Sequence, residues 1–108
     1  MDYQEIIFGL IVNAGDSRSN SMKAIRLAKK GKIEEAKETI KISEDCLNKA
    51  HEIQTSLIQD EAAGKRAEVT LLMVHAQDHL MNAITIKDIA IELIDTREEL
   101  ESIKNIIK

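Results

Sequence analysis

Two histidines and one carboxylate close together are the side chains of this sequence best suited to chemistry. His75, Asp78 and His79 stand at positions i, i+3 and i+4, which are neighbours on one face of an α-helix. The segment around them is almost entirely apolar. Because polar groups in apolar surroundings cost free energy unless they are paired, such a cluster often marks a functional site. A neutral imidazole there could act as a base, a metal ligand or a nucleophile.

Besides nucleophilic chemistry at a histidine, two other functions are compatible with this cluster. The spacing His-x-x-Asp-His is similar to the H-x-x-E-H motif of one class of zinc hydrolases, but the acid is one methylene shorter and no third ligand is obvious from the sequence. A structural coiled-coil adaptor would explain the helical periodicity but not the histidines. Glycine-rich phosphate loops, Ser-x-x-Lys motifs and nucleophile elbows do not occur, so a nucleotide bound in a P-loop is not predicted.

Composition favours long helices and argues against several classes of partner. Hydrophobic residues make up 44% of the 108 residues, aromatic residues only 2%, and proline is absent. The formal net charge of −4 argues against nucleic-acid binding, which needs a basic surface. The single cysteine, Cys46, cannot form an internal disulfide, which fits a reducing compartment. With neither a signal-peptide pattern nor a long apolar run, we expect a cytoplasmic protein.

Apolar periodicity predicts three helices in one domain spanning residues 1–108. The first covers about residues 3–29, with an irregularity near Gly15, and basic residues around Gly31 end it. The second follows the a/d spacing of a coiled-coil seam and ends at Gly64. The seam residues are Ile33, Ala36, Ile40, Ser43, Leu47, Ala50, Gln54 and Leu57. The third runs from about residue 67 to the C-terminus. Three helices of about 45 Å with short connections predict an antiparallel up-down-up bundle.

The third helix is apolar around almost its whole circumference between Val69 and Ile94. A helix of this kind needs partners on several sides, so we expect a homo-oligomer that packs through it. One polar stripe interrupts the apolar surface, and in a symmetric oligomer copies of Asp78 could converge on the axis. Converging carboxylates need protonation or a hard cation such as Mg²⁺ or Ca²⁺. The stripe comprises Leu71, His75, Asp78, Asn82, Thr85 and Ile89.

Three blocks in order carry a resemblance to a known family. They are Ile-Val-Asn-Ala-Gly-Asp-Ser-Arg-Ser at 11–19, Ala-His-Glu-Ile-Gln-Thr at 50–55 and His-Ala-Gln-Asp-His-Leu-Met at 75–81. Together they resemble the lactose/cellobiose-specific enzyme IIA family of the bacterial sugar phosphotransferase system, over about residues 4–94. The histidine block is the most specific of the three. The charged segment 98–101 lies beyond the resemblance.

The resemblance implies a phosphotransferase component that acts as a phosphoryl carrier and assembles as a homotrimer. By motif position, His75 would accept a phosphoryl group from the phosphocarrier protein HPr and pass it to a cysteine of the cognate enzyme IIB. The pathway would take up and phosphorylate a β-linked disaccharide of the cellobiose, lactose or chitobiose type. The membrane would be involved only indirectly, through enzyme IIC.

The resemblance also assigns roles to three neighbours of His75. Asp78 would lie on the trimer axis and hold Mg²⁺ or a similar divalent cation. Gln77 and His79 would lie near the phosphorylation site and are candidate stabilisers of the phosphoryl group. Independently of the resemblance, His51 and Gln54 lie one turn apart on the second helix, and we expect them to make a polar contact inside the bundle and not to take part in the chemistry.

Overall fold

The computed structural model describes residues 2–108, which form three α-helices joined by short connections. Helix α1 spans Tyr3–Lys29, α2 spans Ile33–Ala62 and α3 spans Leu71–Ile107. The helices lie side by side in a bundle 62 Å long and about 20 Å across, in which α1 packs against both of the others. The predicted all-α, up-down-up architecture is confirmed. Within residues 2–108, no helix combines the length and the low polarity that a membrane span needs.

Helix boundaries follow from local capping chemistry. The Asp2 carboxylate accepts a hydrogen bond from the Glu5 amide at 2.9 Å and caps α1. Gly31, with φ of 79°, lies in the turn that ends α1, where the left-handed backbone favours glycine. The predicted start of α3 near residue 67 is wrong: Thr70 is extended, and its hydroxyl accepts from the Met73 amide at 3.1 Å, so the helix begins at Leu71. The predicted irregularity near Gly15 is also absent, because α1 is continuous there.

The core is built from aliphatic and small side chains in two clusters along the bundle. One lies towards the start of α1 and includes Leu10, Leu47 and Leu80, and the other lies towards the α1–α2 turn and includes Ile40 and Ile94. The a/d seam predicted for α2 is confirmed along its middle, where Ala36, Ile40, Ser43, Leu47 and Ala50 are buried. Ile33, Gln54 and Leu57, at its two ends, are half-buried.

Three buried serines join α1 to α2 at mid-length. Ser43 Oγ donates to the Ser17 carbonyl oxygen at 2.8 Å. It also lies 2.9 Å from Ser17 Oγ and 2.7 Å from Ser21 Oγ, and all three residues are completely buried. A consistent arrangement of protons has Ser17 and Ser21 both donating to Ser43. Each hydroxyl is thereby satisfied without water, as buried polar groups require.

Helix α3 buries one stripe and exposes the rest of its apolar residues in the single chain. The buried residues are Met73, Ala76, Leu80, Ala83, Ala90 and Ile94. The apolar residues Leu72, Val74, Met81 and Leu93 belong to the apolar circumference predicted between Val69 and Ile94, and they are exposed in the single chain. Helices α1 and α2 therefore cover only part of that circumference.

The far end of α3 is tied to the turn between α1 and α2. Lys37 Nζ, near the start of α2, lies 2.9 Å from Glu98 Oε2 on α3. Within α3, Arg97 Nη2 lies 2.9 Å from Glu101 Oε1. The hydrogen bond from Lys37 to Glu98 raises the pKa of the Lys37 ammonium above its ordinary value. The Glu101 carboxylate lies beside Gly31, 3.3 Å from the position that a Cβ there would take. The contact with Gly31 places Glu101 at the level of the turn where α1 ends and α2 begins.

Candidate functional site

His75 and His79 contact each other on the exposed side of α3. Their Nε2 atoms are 3.0 Å apart, and the two rings meet edge to face at 85° with centroids 4.5 Å apart. His75 is exposed to solvent and His79 is half-buried. The i, i+4 spacing on a regular helix produces this contact, as the sequence predicted. The pair is therefore preformed and open to a partner from outside the chain.

The short contact between two imidazoles restricts their protonation. A neutral imidazole carries a proton on one nitrogen and a lone pair on the other, so one Nε2 donates and the other accepts. When His79 donates, the Nε2 lone pair of His75 accepts that hydrogen bond, and it becomes free to act as a nucleophile when the His79 N–H turns away. This arrangement suits attack on an electrophile that is presented by another molecule.

Asp78 lies one turn from the histidine pair on the exposed surface of α3. Its Oδ2 accepts a hydrogen bond of 3.3 Å from Asn82 Nδ2. Across residues 2–108 no three His, Cys, Asp or Glu side chains come together in a way that could hold a metal ion.

Gln77 points away from the histidine pair, towards α2. Its side-chain oxygen accepts from Gln54 Nε2 at 2.9 Å, and its Nε2 lies 3.6 Å from the sulfur of Met73. Gln54 therefore makes the polar contact inside the bundle that the sequence suggested, whereas His51 is exposed on α2. The partnership of Gln54 with Gln77 was not predicted, because nothing in the spacing within one helix reveals a partner on another.

An apolar cleft between the end of α2 and the start of α3 borders the site. Val74, which precedes His75, lines it together with Gln54 and Gln77. The remaining lining is mainly aliphatic and includes Leu57, Ile58, Val69 and Met73. Sequence reasoning missed this cleft, because three of its ten lining residues, Ala67, Glu68 and Val69, come from the segment before α3 that was assigned to the helix itself.

The segment between α2 and α3, residues 63–70, is anchored to the start of α1. The Tyr3 hydroxyl donates to the Glu68 carbonyl oxygen and lies 3.4 Å from Thr70 Oγ1. Since the Thr70 hydroxyl also caps α3, one cluster of contacts holds the entry to the helix that carries His75.

Comparison with known proteins gives one consistent result. The family model for the lactose/cellobiose-specific IIA subunit of the phosphotransferase system matches residues 5–98. The lichenan-specific phosphotransferase enzyme IIA component of Bacillus subtilis (strain 168) is 50% identical over 99 residues, covering 92% of this chain and 90% of that protein.

Two solved structures share the fold. The cellobiose-specific enzyme IIA from Bacillus anthracis is 48% identical with a TM-score of 0.90, and the match covers 94% of each chain. A IIA(Chitobiose)–HPr complex from Escherichia coli is 38% identical with a TM-score of 0.80, covering 94% of this chain and 98% of that one.

Proposed function

Because the chain belongs to the lactose/cellobiose-specific IIA family of the sugar phosphotransferase system, we propose that His75 accepts a phosphoryl group from HPr and passes it to a cysteine of the cognate enzyme IIB. The observation that carries the proposal is the exposed imidazole of His75 in hydrogen-bonding contact with His79. The similarity to a IIA component in complex with HPr supports HPr as the donor.

Transfer needs in-line approach of the phosphorus to a free imidazole lone pair. The new N–P bond forms on His75 while the N–P bond of the donor phosphohistidine breaks, and that electron pair returns to the donor nitrogen. His75 is the fifth residue of α3 and lies about one turn from the N-terminus of that helix, where Thr70 already accepts from the Met73 amide. The positive end of the helix dipole, positioning and side-chain donors would together supply the stabilisation.

His79 is the better placed of the two candidate stabilisers. Its Nε2–H lies within hydrogen-bonding distance of His75 Nε2 and can turn to a phosphoryl oxygen once that nitrogen is occupied. The Gln77 amide is already engaged with Gln54 and Met73. We assign Gln77 the positioning of α3 against α2, and it would reach the phosphoryl group only by giving up those contacts.

The active form in this proposal is a homotrimer with Asp78 near its axis. The apolar and polar surface that α3 exposes in one chain would be covered by two further copies. Three Asp78 carboxylates would offer the oxygen ligands that Mg²⁺ or a similar divalent cation prefers, and one chain supplies only one of them. When bound, the cation would neutralise charge between the subunits and keep those carboxylates from repelling an incoming phosphoryl group.

The proposed pathway is the uptake of a β-linked disaccharide of the cellobiose, lactose or chitobiose type. The similarity to lichenan-specific and cellobiose-specific IIA components favours a β-glucoside among these. The chain would act at the cytoplasmic side and meet the membrane only through enzymes IIB and IIC.

Phosphorylation of the three histidine variants tests the assignment. Incubation with enzyme I, HPr and phosphoenolpyruvate should add one acid-labile phosphate per chain, seen by intact-mass spectrometry. His75→Ala should abolish the label, whereas His79→Ala should slow it without abolishing it.

His51→Ala is the matched control, since this exposed histidine on α2 has no contact with the pair. The chain has three histidines, so the three variants account for all of them. Labelling that survives in His75→Ala would refute the assignment, and complete absence of label in the unaltered chain would favour a structural adaptor.

A further inference from the structure

The histidine pair of the candidate site has the geometry of a metal chelate. The Nε2 atoms of His75 and His79 lie 3.0 Å apart on successive turns of α3. Two nitrogens that bind one metal ion at about 2.1 Å are about 3.0 Å apart when they meet the ion at a right angle, whereas a tetrahedral angle needs about 3.4 Å. The separation of the two imidazoles therefore matches two neighbouring positions around an octahedral or square-planar ion.

The surroundings of the pair leave room for such an ion. His75 is exposed and His79 is half-buried, so solvent reaches both rings. The nearby Asp78 carboxylate accepts a hydrogen bond from Asn82. Because the part of the chain from residue 2 to 108 contains no group of three His, Cys, Asp or Glu that could hold a metal, the pair would supply two ligands and water the others.

The chemistry of the two ligands selects the class of ion. Imidazole nitrogen is a good ligand for first-row transition metals, and square-planar or tetragonal geometry is typical of Cu²⁺ and Ni²⁺. Mg²⁺ and Ca²⁺ prefer oxygen ligands. A site made of His75 and His79 is therefore distinct in its chemistry from a carboxylate site at Asp78.

We propose that His75 and His79 chelate a divalent transition-metal ion of the Ni²⁺ or Cu²⁺ type, and that the bound ion blocks phosphoryl transfer. Chelation needs a lone pair on both Nε2 atoms. His79, which can donate from Nε2 in the free pair, would carry that proton on Nδ1 after exchange with water, so a neutral pair loses no net proton. The blocking step rests on the proposed function, whereas metal binding itself does not.

The block follows from competition for one lone pair. With an ion bound, His75 Nε2 has no electron pair left to attack the phosphorus of the donor. Transfer resumes only when the ion leaves. At a free ion concentration of about ten times the Kd, about one chain in eleven has a free pair, so the rate of labelling should fall about tenfold.

Titration calorimetry of the untagged chain with Ni²⁺ tests the site without any phosphoryl donor. We expect one ion per chain. His75→Ala and His79→Ala should each raise the Kd for Ni²⁺ by at least about tenfold, because the second imidazole binds at a high effective concentration. His51→Ala is the matched control, since this third histidine is exposed on α2, and it should leave the Kd unchanged. Equal affinity in all four chains would overturn the chelate.

Nuclear magnetic resonance of the histidine rings locates the ion independently of affinity. Paramagnetic Ni²⁺ at a low molar ratio should broaden the ring signals of His75 and His79 together and spare those of His51. Broadening of His51 first, or of only one member of the pair, would overturn the chelate even if calorimetry showed tight binding.

Labelling by isolated phospho-HPr, freed from enzyme I, tests the block. The initial rate for the unaltered chain should fall about tenfold at about ten times the Kd for Ni²⁺, and EDTA should restore it. His79→Gln keeps a hydrogen-bond donor but lacks a ring nitrogen. It should be labelled more slowly than the unaltered chain, at a rate that Ni²⁺ changes by less than about twofold. Because the donor is the same in both reactions, this variant controls for effects of Ni²⁺ on HPr.

The proposed function and the block fail in different ways. An unaltered chain that takes no phosphate in the absence of Ni²⁺ would refute the proposed function and the block with it, while the calorimetric result would stand. A chain that is labelled equally fast with and without saturating Ni²⁺ would refute the block and leave His75 as the phosphoryl acceptor.

Discussion

The buried hydroxyl of Ser43 should contribute more to stability than its size suggests. It takes part in three hydrogen bonds of 2.7 to 2.9 Å with Ser17 and Ser21, at residues that are completely buried. At about 1 kcal/mol for each net hydrogen bond, Ser43→Ala would cost about 3 kcal/mol. After this substitution the hydroxyls of Ser17 and Ser21 can turn to the carbonyl four residues earlier in α1, so part of the lost hydrogen-bond energy is recovered. We therefore expect a loss of about 2 kcal/mol.

Urea unfolding followed by circular dichroism at a fixed chain concentration measures this loss, and the midpoint of thermal unfolding should fall by about 10 °C. Ser56→Ala, an exposed serine on the same helix, is the matched control and should change stability by less than about 0.5 kcal/mol.

A double-mutant comparison separates the hydrogen bonds from simple loss of volume. In a Ser17→Ala and Ser21→Ala background no donor is left without a partner, so Ser43→Ala should cost only about 1 kcal/mol. An equal cost in both backgrounds, or no cost in the unaltered chain, would show that the hydroxyl cluster does not act as a unit.

Three further changes probe the core, the assembly and a surface ion pair. Leu80→Ala should reduce the free energy of unfolding by about 2–5 kcal/mol in urea, since Leu80 is completely buried; a loss below about 1 kcal/mol would contradict its place in the core. Asp78→Leu should keep or strengthen the trimer in light scattering and make it insensitive to Mg²⁺ or EDTA, because the buried charge is gone, and dissociation would contradict the axial placement. Glu98→Gln should destabilise the chain slightly at pH 7. That difference should fade as the pH rises past the raised pKa of Lys37, where the ammonium is lost, and a difference that persists there would exclude the ion pair as its cause.

Periodicity within a helix predicted most of the fold. The buried seam of α2 follows from spacing alone, because a regular helix turns position directly into direction. The end of α1 follows from the basic residues around Gly31. The start of α3 did not follow, since it depends on the extended backbone at Thr70 and on the hydroxyl that caps the helix.

In the candidate site, contacts within one helix could likewise be predicted, whereas contacts between helices could not. His75 and His79 meet because they are four residues apart on one helix, and this contact could be predicted. The contact of Gln54 with Gln77 joins helices whose relative rotation is set by the whole core, so the sequence offered no pattern for it. Ser43 is intermediate: its place in the seam was predicted, whereas its two serine partners on α1 were not.

The anchoring of Tyr3 gives the molecule an optical reporter of its own. The chain has one tyrosine and no tryptophan, so its near-ultraviolet emission comes from a single phenol. That phenol is hydrogen-bonded to the Glu68 carbonyl in the segment that leads into α3. Release of the segment would change the emission without any added dye. Stopped-flow fluorescence could therefore follow, in the unmodified protein, whether the entry to the histidine helix moves when a partner docks.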